Sequence, residues 1–179
     1  MGSTHIDLSK RHTEKPAFSP ERMAEVQALI TQYPEGKHKS AILRILHMAQ
    51  KDFGWLSVEV MDYVASLLNI QPIEVYEVAT FYSMYHLKPV GKYVFEFCQT
   101  GPCCTRGAEK TIDYIKNKLN IEVGGTSADG LFTLKTVECL GACGYAPMMQ
   151  VGDVFFEHLN EEKIDTLIEN WRKEAASKN

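Results

Sequence analysis

The sequence lacks an excess of basic residues, an apolar run of membrane-spanning length and the apolar segment of a secretory signal. Its formal net charge is −4, which gives no support to nucleic-acid binding, because that function needs a basic patch or stripe. No apolar stretch approaches the roughly 20 residues of a membrane span. The N-terminus, MGSTHIDLSKRHTEK, has no apolar middle. We therefore expect a soluble chain that binds no nucleic acid and reaches a membrane only through partners.

Cysteine is absent from the N-terminal half of the sequence. All five cysteines lie in the C-terminal half, at Cys98, Cys103, Cys104, Cys139 and Cys143. An odd number of cysteines in a chain without an export signal argues against a disulfide framework. The cysteines therefore indicate metal binding or thiol redox chemistry.

Four of these cysteines form two closely spaced pairs. CQTGPC gives a C-x4-C pair, Cys98 and Cys103, and ECLGACGYAP gives a C-x3-C pair, Cys139 and Cys143. Each pair closes a short glycine-containing loop, and backbone N–H groups can approach sulfur closely in such a loop. A [2Fe–2S] cluster needs two protein ligands for each iron. We expect Cys98 and Cys103 on one iron and Cys139 and Cys143 on the other.

The spacing of the cysteines does not exclude other interpretations. Four thiolates also suit a structural Zn²⁺ ion, although zinc sites more often use C-x2-C pairs. Cys104 could replace Cys103 as a ligand, but a free cysteine is commonly a small buried residue without a further role. A dithiol oxidoreductase is the weakest alternative, since no C-x-x-C stands at a predicted strand–helix junction.

The N-terminal half predicts a flexible tail followed by helices. Residues 1–18 are polar and unpatterned, and residues 19–90 predict a bundle of about four short helices. Ser19 followed by Pro20 is typical of a helix start. Ser57 is expected to cap the third helix, and the fourth, PIEVYEVATFYSMYHL, is predicted to end before Pro89.

The C-terminal half, residues 91–179, has a different pattern. KYVFEFC is a strand pattern that ends at the first cysteine, and residues 105–119 have helical spacing. Residues 131–137 alternate as a strand that ends near the second pair, and Gly152-Asp153 predicts a hairpin turn. A last helix is predicted to open at Asn160. The order β-α-β-β-β-α indicates a thioredoxin-like domain, so the fold class expected for the whole chain is α+β.

Together these segments resemble a known family. CQTGPC, DGLFTLKTVECLGACGYAPMMQV, GWLSVEVMDYVA and VYEVATFYSMYHLKPVGKY are similar to the 24 kDa subunit of respiratory NADH:quinone oxidoreductase (complex I). The resemblance extends from about Phe18 to Trp171. It implies a helical bundle before a thioredoxin-like ferredoxin domain, with one [2Fe–2S] cluster held by residues matching Cys98, Cys103, Cys139 and Cys143.

The resemblance also implies partners. Members of this family bind a flavoprotein subunit that carries FMN and the NADH site, so this chain is expected to accept single electrons from that flavin. Other subunits of the peripheral arm are expected neighbours. The expected location is cytoplasmic, peripheral to the inner membrane through the complex, or on the matrix side if the protein is mitochondrial. No catalytic residue is expected in this chain.

Two points stay open beside the resemblance. The corresponding subunits of NAD-linked hydrogenases and formate dehydrogenases share the cluster and the flavoprotein partner. Aromatic residues crowd the predicted fourth helix, and we expect Tyr82, Tyr85 and the Trp55 loop to contact the flavoprotein, because aromatic residues are enriched in interface cores. For Tyr76 and Phe81, core packing is an equally good interpretation.

Overall fold

The computed structural model describes residues 6, 12 and 14–177. The chain forms two compact units, of which the first ends at Pro89 and the second begins at Val90. Within the described ranges, no helix is both long enough and apolar enough to cross a membrane. The division of the chain into three functional domains stays a prediction, with the ranges 1–18, 19–90 and 91–179.

The first unit is helical. Its four α-helices are α1 Pro20–Ile30, α2 Ile42–Phe53, α3 Val58–Leu68 and α4 Pro72–Phe81. A short 3₁₀ segment, His38–Ala41, precedes α2. The apolar faces of these helices form one core, with Ile45, Leu46 and Val64 fully buried.

The helix ends follow from the chemistry of the residues found there. Ser19 and Ser57 are N-caps, whose hydroxyls accept hydrogen bonds from the backbone N–H groups of Arg22 at 3.2 Å and Val60 at 3.3 Å. Gly54 ends α2 at φ +81°, a conformation that costs glycine little. The expected starts of the first and third helices are therefore confirmed.

The fourth helix is shorter than the sequence predicts, because it ends at Phe81 instead of continuing to Leu87. The segment after it turns back, and Tyr85 is buried with its hydroxyl donating to the carbonyl of Leu43 at 2.8 Å. Trp55 is also buried, with 8% of its surface exposed. The expectation that Tyr85 and Trp55 form a partner-facing surface is therefore wrong.

Phe81 and Tyr82 lie on the surface instead. Phe81 is 78% exposed and Tyr82 is 39% exposed, and their rings meet edge to face at 5.0 Å between centroids. Core packing is thus excluded for Phe81. The expected contact of Tyr82 with a flavoprotein stays a prediction.

Described residues of the predicted flexible tail contact the helical core. The imidazole of His12 lies 2.8 Å from the Ser57 hydroxyl and 3.1 Å from the carbonyl of Phe53, and it stacks on Trp55. Phe18 is buried. Residues 1–5, 7–11 and 13 of the predicted tail lie outside the described residues.

The second unit is built on a four-stranded sheet. Its strands are β1 Tyr93–Cys98, β2 Phe132–Val137, β3 Met149–Val151 and β4 Val154–Phe156. The order across the sheet is β2-β1-β3-β4, with β1 and β2 parallel and the other neighbours antiparallel. Gly152, at φ +60°, lies in the predicted turn between β3 and β4.

The described residues of the second unit also form three α-helices, α5 Gly101–Thr105, α6 Ala108–Leu119 and α7 Glu161–Ser177, and a short 3₁₀ segment, Cys143–Tyr145. The single helix predicted over residues 105–119 is divided: Thr105 ends α5, Gly107 follows at φ +95°, and α6 begins at Ala108. From α7, the ring of Trp171 packs against the rings of Tyr93, Phe95 and Phe132, so α7 covers the apolar face of the sheet.

Candidate metal centre

The sheet topology brings the two cysteine loops to one edge of the second unit. β1 and β2 are parallel neighbours, and Cys98, the last residue of β1, is opposite Val137, the last residue of β2. Cys139 follows two residues later. Because parallel strands end at the same edge of a sheet, their carboxyl ends form a natural binding site. The loops that follow β1 and β2 therefore start side by side.

The first pair is buried. Cys98 and Cys103 are each 1% exposed, and both belong to the core of the second unit. Cys103 lies in α5, which begins three residues after the end of β1, and Cys98 is near enough to raise the pKa of the Cys103 thiol. The short helix thus returns the second sulfur of the pair towards the first.

The second pair lies at the surface. The sulfurs of Cys139 and Cys143 are 3.5 Å apart, and Cys139 is exposed. Gly141 lies between them at φ +80°, in the left-handed region that favours glycine. This conformation turns the chain so that both thiols of the pair face each other.

Electrostatic effects link the two pairs. Burial, with the hydrogen bond and charge of Cys98, raises the pKa of Cys103 to about 12, and the charge of Cys143 contributes in the same direction. The pKa of Cys143 is raised chiefly by its hydrogen bond with Cys139. Such mutual effects require the thiols to lie close together. The thiols of the two pairs therefore lie near one another, and their joint ligation of one cluster stays a prediction.

Hydrogen-bond donors surround the sulfurs. The hydroxyl of Thr100 is 3.3 Å from Cys98 Sγ. Burial alone would raise the pKa of Cys98, but the Thr100 hydroxyl, with smaller effects of the neighbouring backbone and of Cys103, outweighs burial and lowers it. The N–H of Gly141 donates to Cys139 Sγ at 3.4 Å. Each loop therefore supplies a donor to one sulfur of its own pair.

The chemistry of the four thiols fits an iron–sulfur cluster, although four thiolates also suit zinc. Among the described residues, no group of three or more His, Cys, Asp and Glu side chains is close enough together to hold a metal ion. A [2Fe–2S] cluster takes two thiolates on each iron, which two adjacent pairs can supply. The donor set therefore fits such a cluster.

Cys104 differs from the other four cysteines. It is half-buried in α5, where its backbone N–H donates to the carbonyl of Thr100 at 2.9 Å. Among the hydrogen bonds of the described residues, those to thiol sulfur involve the two pairs and leave out the Cys104 side chain. The geometry thus supports Cys103 over Cys104 as the ligand.

The comparison with known families decides between these chemistries. The family model described as thioredoxin-like [2Fe-2S] ferredoxin matches residues 26–172. The chain belongs to this family. The family assignment confirms the predicted α+β fold with its thioredoxin-like domain and the predicted [2Fe–2S] cofactor.

Individual relatives agree with the family assignment. The NADH-quinone oxidoreductase subunit designated E in Rickettsia prowazekii is 42% identical over 90% of this chain and 92% of its own length. The mitochondrial NADH dehydrogenase [ubiquinone] flavoprotein 2 of Dictyostelium discoideum is 36% identical over 98% of this chain and 72% of its own. These findings confirm the resemblance seen in the sequence.

The fold also occurs in a solved structure. A chain of the NAD⁺-reducing [NiFe]-hydrogenase superposes on 75% of this chain with a TM-score of 0.67 and 21% identity. At this identity the likeness shows a shared fold. The superposed region is 23% of that hydrogenase chain.

The sequence did not predict which groups donate hydrogen bonds to the cysteine sulfurs in this chain of the ferredoxin family. Thr100 lies within the CQTGPC motif, but a threonine before glycine and proline equally suggests an ordinary helix cap. The N–H group of Gly141 belongs to the backbone and leaves no signal in residue type, except for the glycine itself.

Proposed function

We propose that this chain is the electron-transfer subunit of an NADH:quinone oxidoreductase, corresponding to the 24 kDa subunit, and that Cys98, Cys103, Cys139 and Cys143 ligate its [2Fe–2S] cluster. The observation that carries the proposal is the meeting of two thiol pairs at one sheet edge in a chain 42% identical to a subunit of such an oxidoreductase. When bound, the cluster accepts and releases one electron at a time.

The protein supplies ligation and an asymmetric environment. Cys98 and Cys103 hold their side of the site inside the apolar core, where water is excluded. Cys139 lies at the surface. A redox partner that approaches the second loop therefore comes nearer to the site than one that approaches the first.

The partner we propose is the flavoprotein subunit that carries FMN and the NADH site, together with other subunits of the peripheral arm. The names of the relatives support membership of a multi-subunit oxidoreductase. We place the chain on the cytoplasmic side of the inner membrane, or on the matrix side in a mitochondrion, held there by the complex. The alternative is the equivalent diaphorase subunit of an NAD-linked hydrogenase or formate dehydrogenase; the likeness to a hydrogenase chain shows only that the fold is shared.

The first experiment tests the cofactor and its ligands. Protein prepared without air should contain two irons and two acid-labile sulfides for each chain, since one cluster has that composition. Dithionite reduction should give one spin-half electron paramagnetic resonance signal. A colourless protein that contains stoichiometric zinc would refute the proposal.

The second experiment tests the partner. NADH alone should leave the cluster of the isolated chain oxidised, since the proposal places the NADH site on the flavoprotein. Addition of the purified flavoprotein subunit should let NADH generate the same resonance signal. The matched control is the purified flavoprotein subunit mixed with the Cys98→Ser variant of this chain. A loaded chain that NADH cannot reduce through the flavoprotein would contradict the assignment to this complex.

A further inference from the structure

The hydroxyl of Thr100 does not cap α5, although Thr100 is the residue that immediately precedes that helix. Thr100 is the N-cap residue of α5, with the extended backbone of a cap at φ −115° and ψ 167°. A threonine at this position usually accepts a hydrogen bond from a backbone N–H in the first turn. Here the side chain makes no such bond, and only the carbonyl takes part, accepting from the N–H of Cys104.

The same hydroxyl lies 3.3 Å from Cys98 Sγ. In the free thiol, either group can be the donor. A thiolate bound to iron has no proton, so in the loaded protein the hydroxyl must be the donor and the sulfur the acceptor. Ligation therefore fixes the direction of this hydrogen bond.

The surroundings of Cys98 make the bond effective. Cys98 is 1% exposed and lies in the apolar core of the second unit, where hydrogen bonds to charged acceptors are stronger than in water. Cys139, in contrast, is exposed, and water can compete for its sulfur. Water therefore cannot replace the Thr100 hydroxyl as the hydrogen-bond donor to the sulfur of Cys98.

We propose that Thr100 is a positioning residue that donates an O–H···S hydrogen bond to Cys98 in the loaded protein and thereby raises the reduction potential of the cluster. The inference rests on the proposed ligation by Cys98. Reduction adds one negative charge to the cluster and its thiolates, so a donor aimed at sulfur stabilises the reduced form more than the oxidised form. Removal of the hydroxyl should make the potential more negative.

The test is a redox titration of the purified full-length chain, followed by electron paramagnetic resonance. Thr100→Val keeps the branched shape and removes the hydroxyl. We expect the ratio of reduced to oxidised cluster at a fixed potential to fall about tenfold, which is a shift of about 59 mV for a one-electron couple. Thr100→Ser keeps the hydroxyl and should titrate like the wild type.

Thr105→Val is the matched control on the same short helix. Thr105 is exposed and donates its hydroxyl to the carbonyl of Gly101 at 2.9 Å, so its loss should leave the potential unchanged. Thr100→Ala is a second variant without a hydroxyl, and it should show the same negative shift as Thr100→Val.

Each outcome has a defined meaning. A fully loaded Thr100→Val protein with the wild-type potential overturns this inference alone and leaves the proposed function intact. Loss of the cluster from both Thr100→Val and Thr100→Ala also overturns it, because Thr100 would then act in assembly and not on the potential. A wild-type chain that holds no cluster overturns the proposed function, and this inference with it.

Discussion

The five cysteines differ in what their sulfur atoms contact. Cys98, Cys103, Cys139 and Cys143 interact through hydrogen bonds and charge, whereas Cys104 lies beside them in sequence and outside those contacts. Adjacent residues on a helix point in directions about 100° apart. This difference in direction is the physical basis for the prediction that Cys103, and not Cys104, is the ligand.

This difference predicts opposite results for two cysteine variants. Cys139→Ser should abolish the resonance signal of the reduced cluster or replace it with one of different shape, since serine is a poorer ligand for iron. Cys104→Ala should keep the signal and at least most of the bound iron. Iron and sulfide analysis beside the spectra checks both. Loss of the cluster from Cys104→Ala would contradict the assignment of Cys103.

Gly141 provides a second test at the residue scale. A non-glycine residue at its φ of +80° costs about 1–2 kcal/mol, and Gly141 N–H is the donor to Cys139 Sγ. Gly141→Ala should therefore assemble a cluster that is lost faster to a chelator than the wild-type cluster. The rate can be followed by the decay of visible absorption.

Gly144 is the control for this experiment. It lies in the same loop, has open space around it and does not have a positive φ. Gly144→Ala should release its cluster at the wild-type rate. Equal rates for Gly141→Ala and the wild type would show that the left-handed turn does not hold the second pair in place.

At the scale of the elements, Ser57 connects the start of α3 with the N-terminal segment. Its fully buried hydroxyl caps α3 through Val60 N–H and contacts the imidazole of His12. Ser57→Ala should lower the free energy of unfolding by about 2 kcal/mol, since it removes a cap and leaves a polar partner unsatisfied. Urea denaturation monitored by circular dichroism measures the change.

Ser19→Ala is the matched cap variant. Ser19 caps α1 at an exposed position, where water can replace its hydroxyl, so we expect a loss of about 1 kcal/mol or less. If Ser19→Ala destabilised the protein as much as Ser57→Ala, the contact between Ser57 and His12 would contribute nothing.

The elements show how far the sequence could predict this fold. Helix starts at Ser19 and Ser57 and the strand that ends at Cys98 were predictable, because capping and a run of β-branched and aromatic residues are local properties. The end of α4 was not, since VATFYSMYHL keeps apolar residues at helical spacing although the chain turns after Phe81. Tertiary contacts of Tyr85 with Leu43 outweigh the local preference.

The site was predictable to a similar degree. The spacing of the cysteines indicated two pairs and left both a [2Fe–2S] cluster and a zinc ion open, between which the family decides. Spacing does not reveal that the first pair is buried and the second lies at the surface, because that depends on where the loops lie on the sheet. The donor to Cys139 is the backbone N–H of Gly141, a group that every residue except proline provides.

At the scale of the whole molecule, each unit has its own apolar core and its own tryptophan. Trp55 lies in the helical unit, where its ring stacks on His12. Trp171 lies in α7, where its ring packs against the aromatic face of the sheet. The sequence contains two tryptophans in all, so the fluorescence of single-tryptophan variants reports on one unit at a time.

This distribution predicts that removal of the cluster weakens one unit selectively. The four proposed ligands all lie between residues 98 and 143, in the second unit. A ligand that binds only the folded state stabilises the part of the chain that holds it. In the Trp55→Phe variant, the urea midpoint reported by Trp171 should therefore fall when a chelator removes the iron. In Trp171→Phe, the midpoint reported by Trp55 should stay unchanged.

The midpoint is the quantity to compare, since an iron–sulfur cluster also quenches fluorescence. Equal shifts of both midpoints would contradict this prediction and show that the two cores unfold as one cooperative unit.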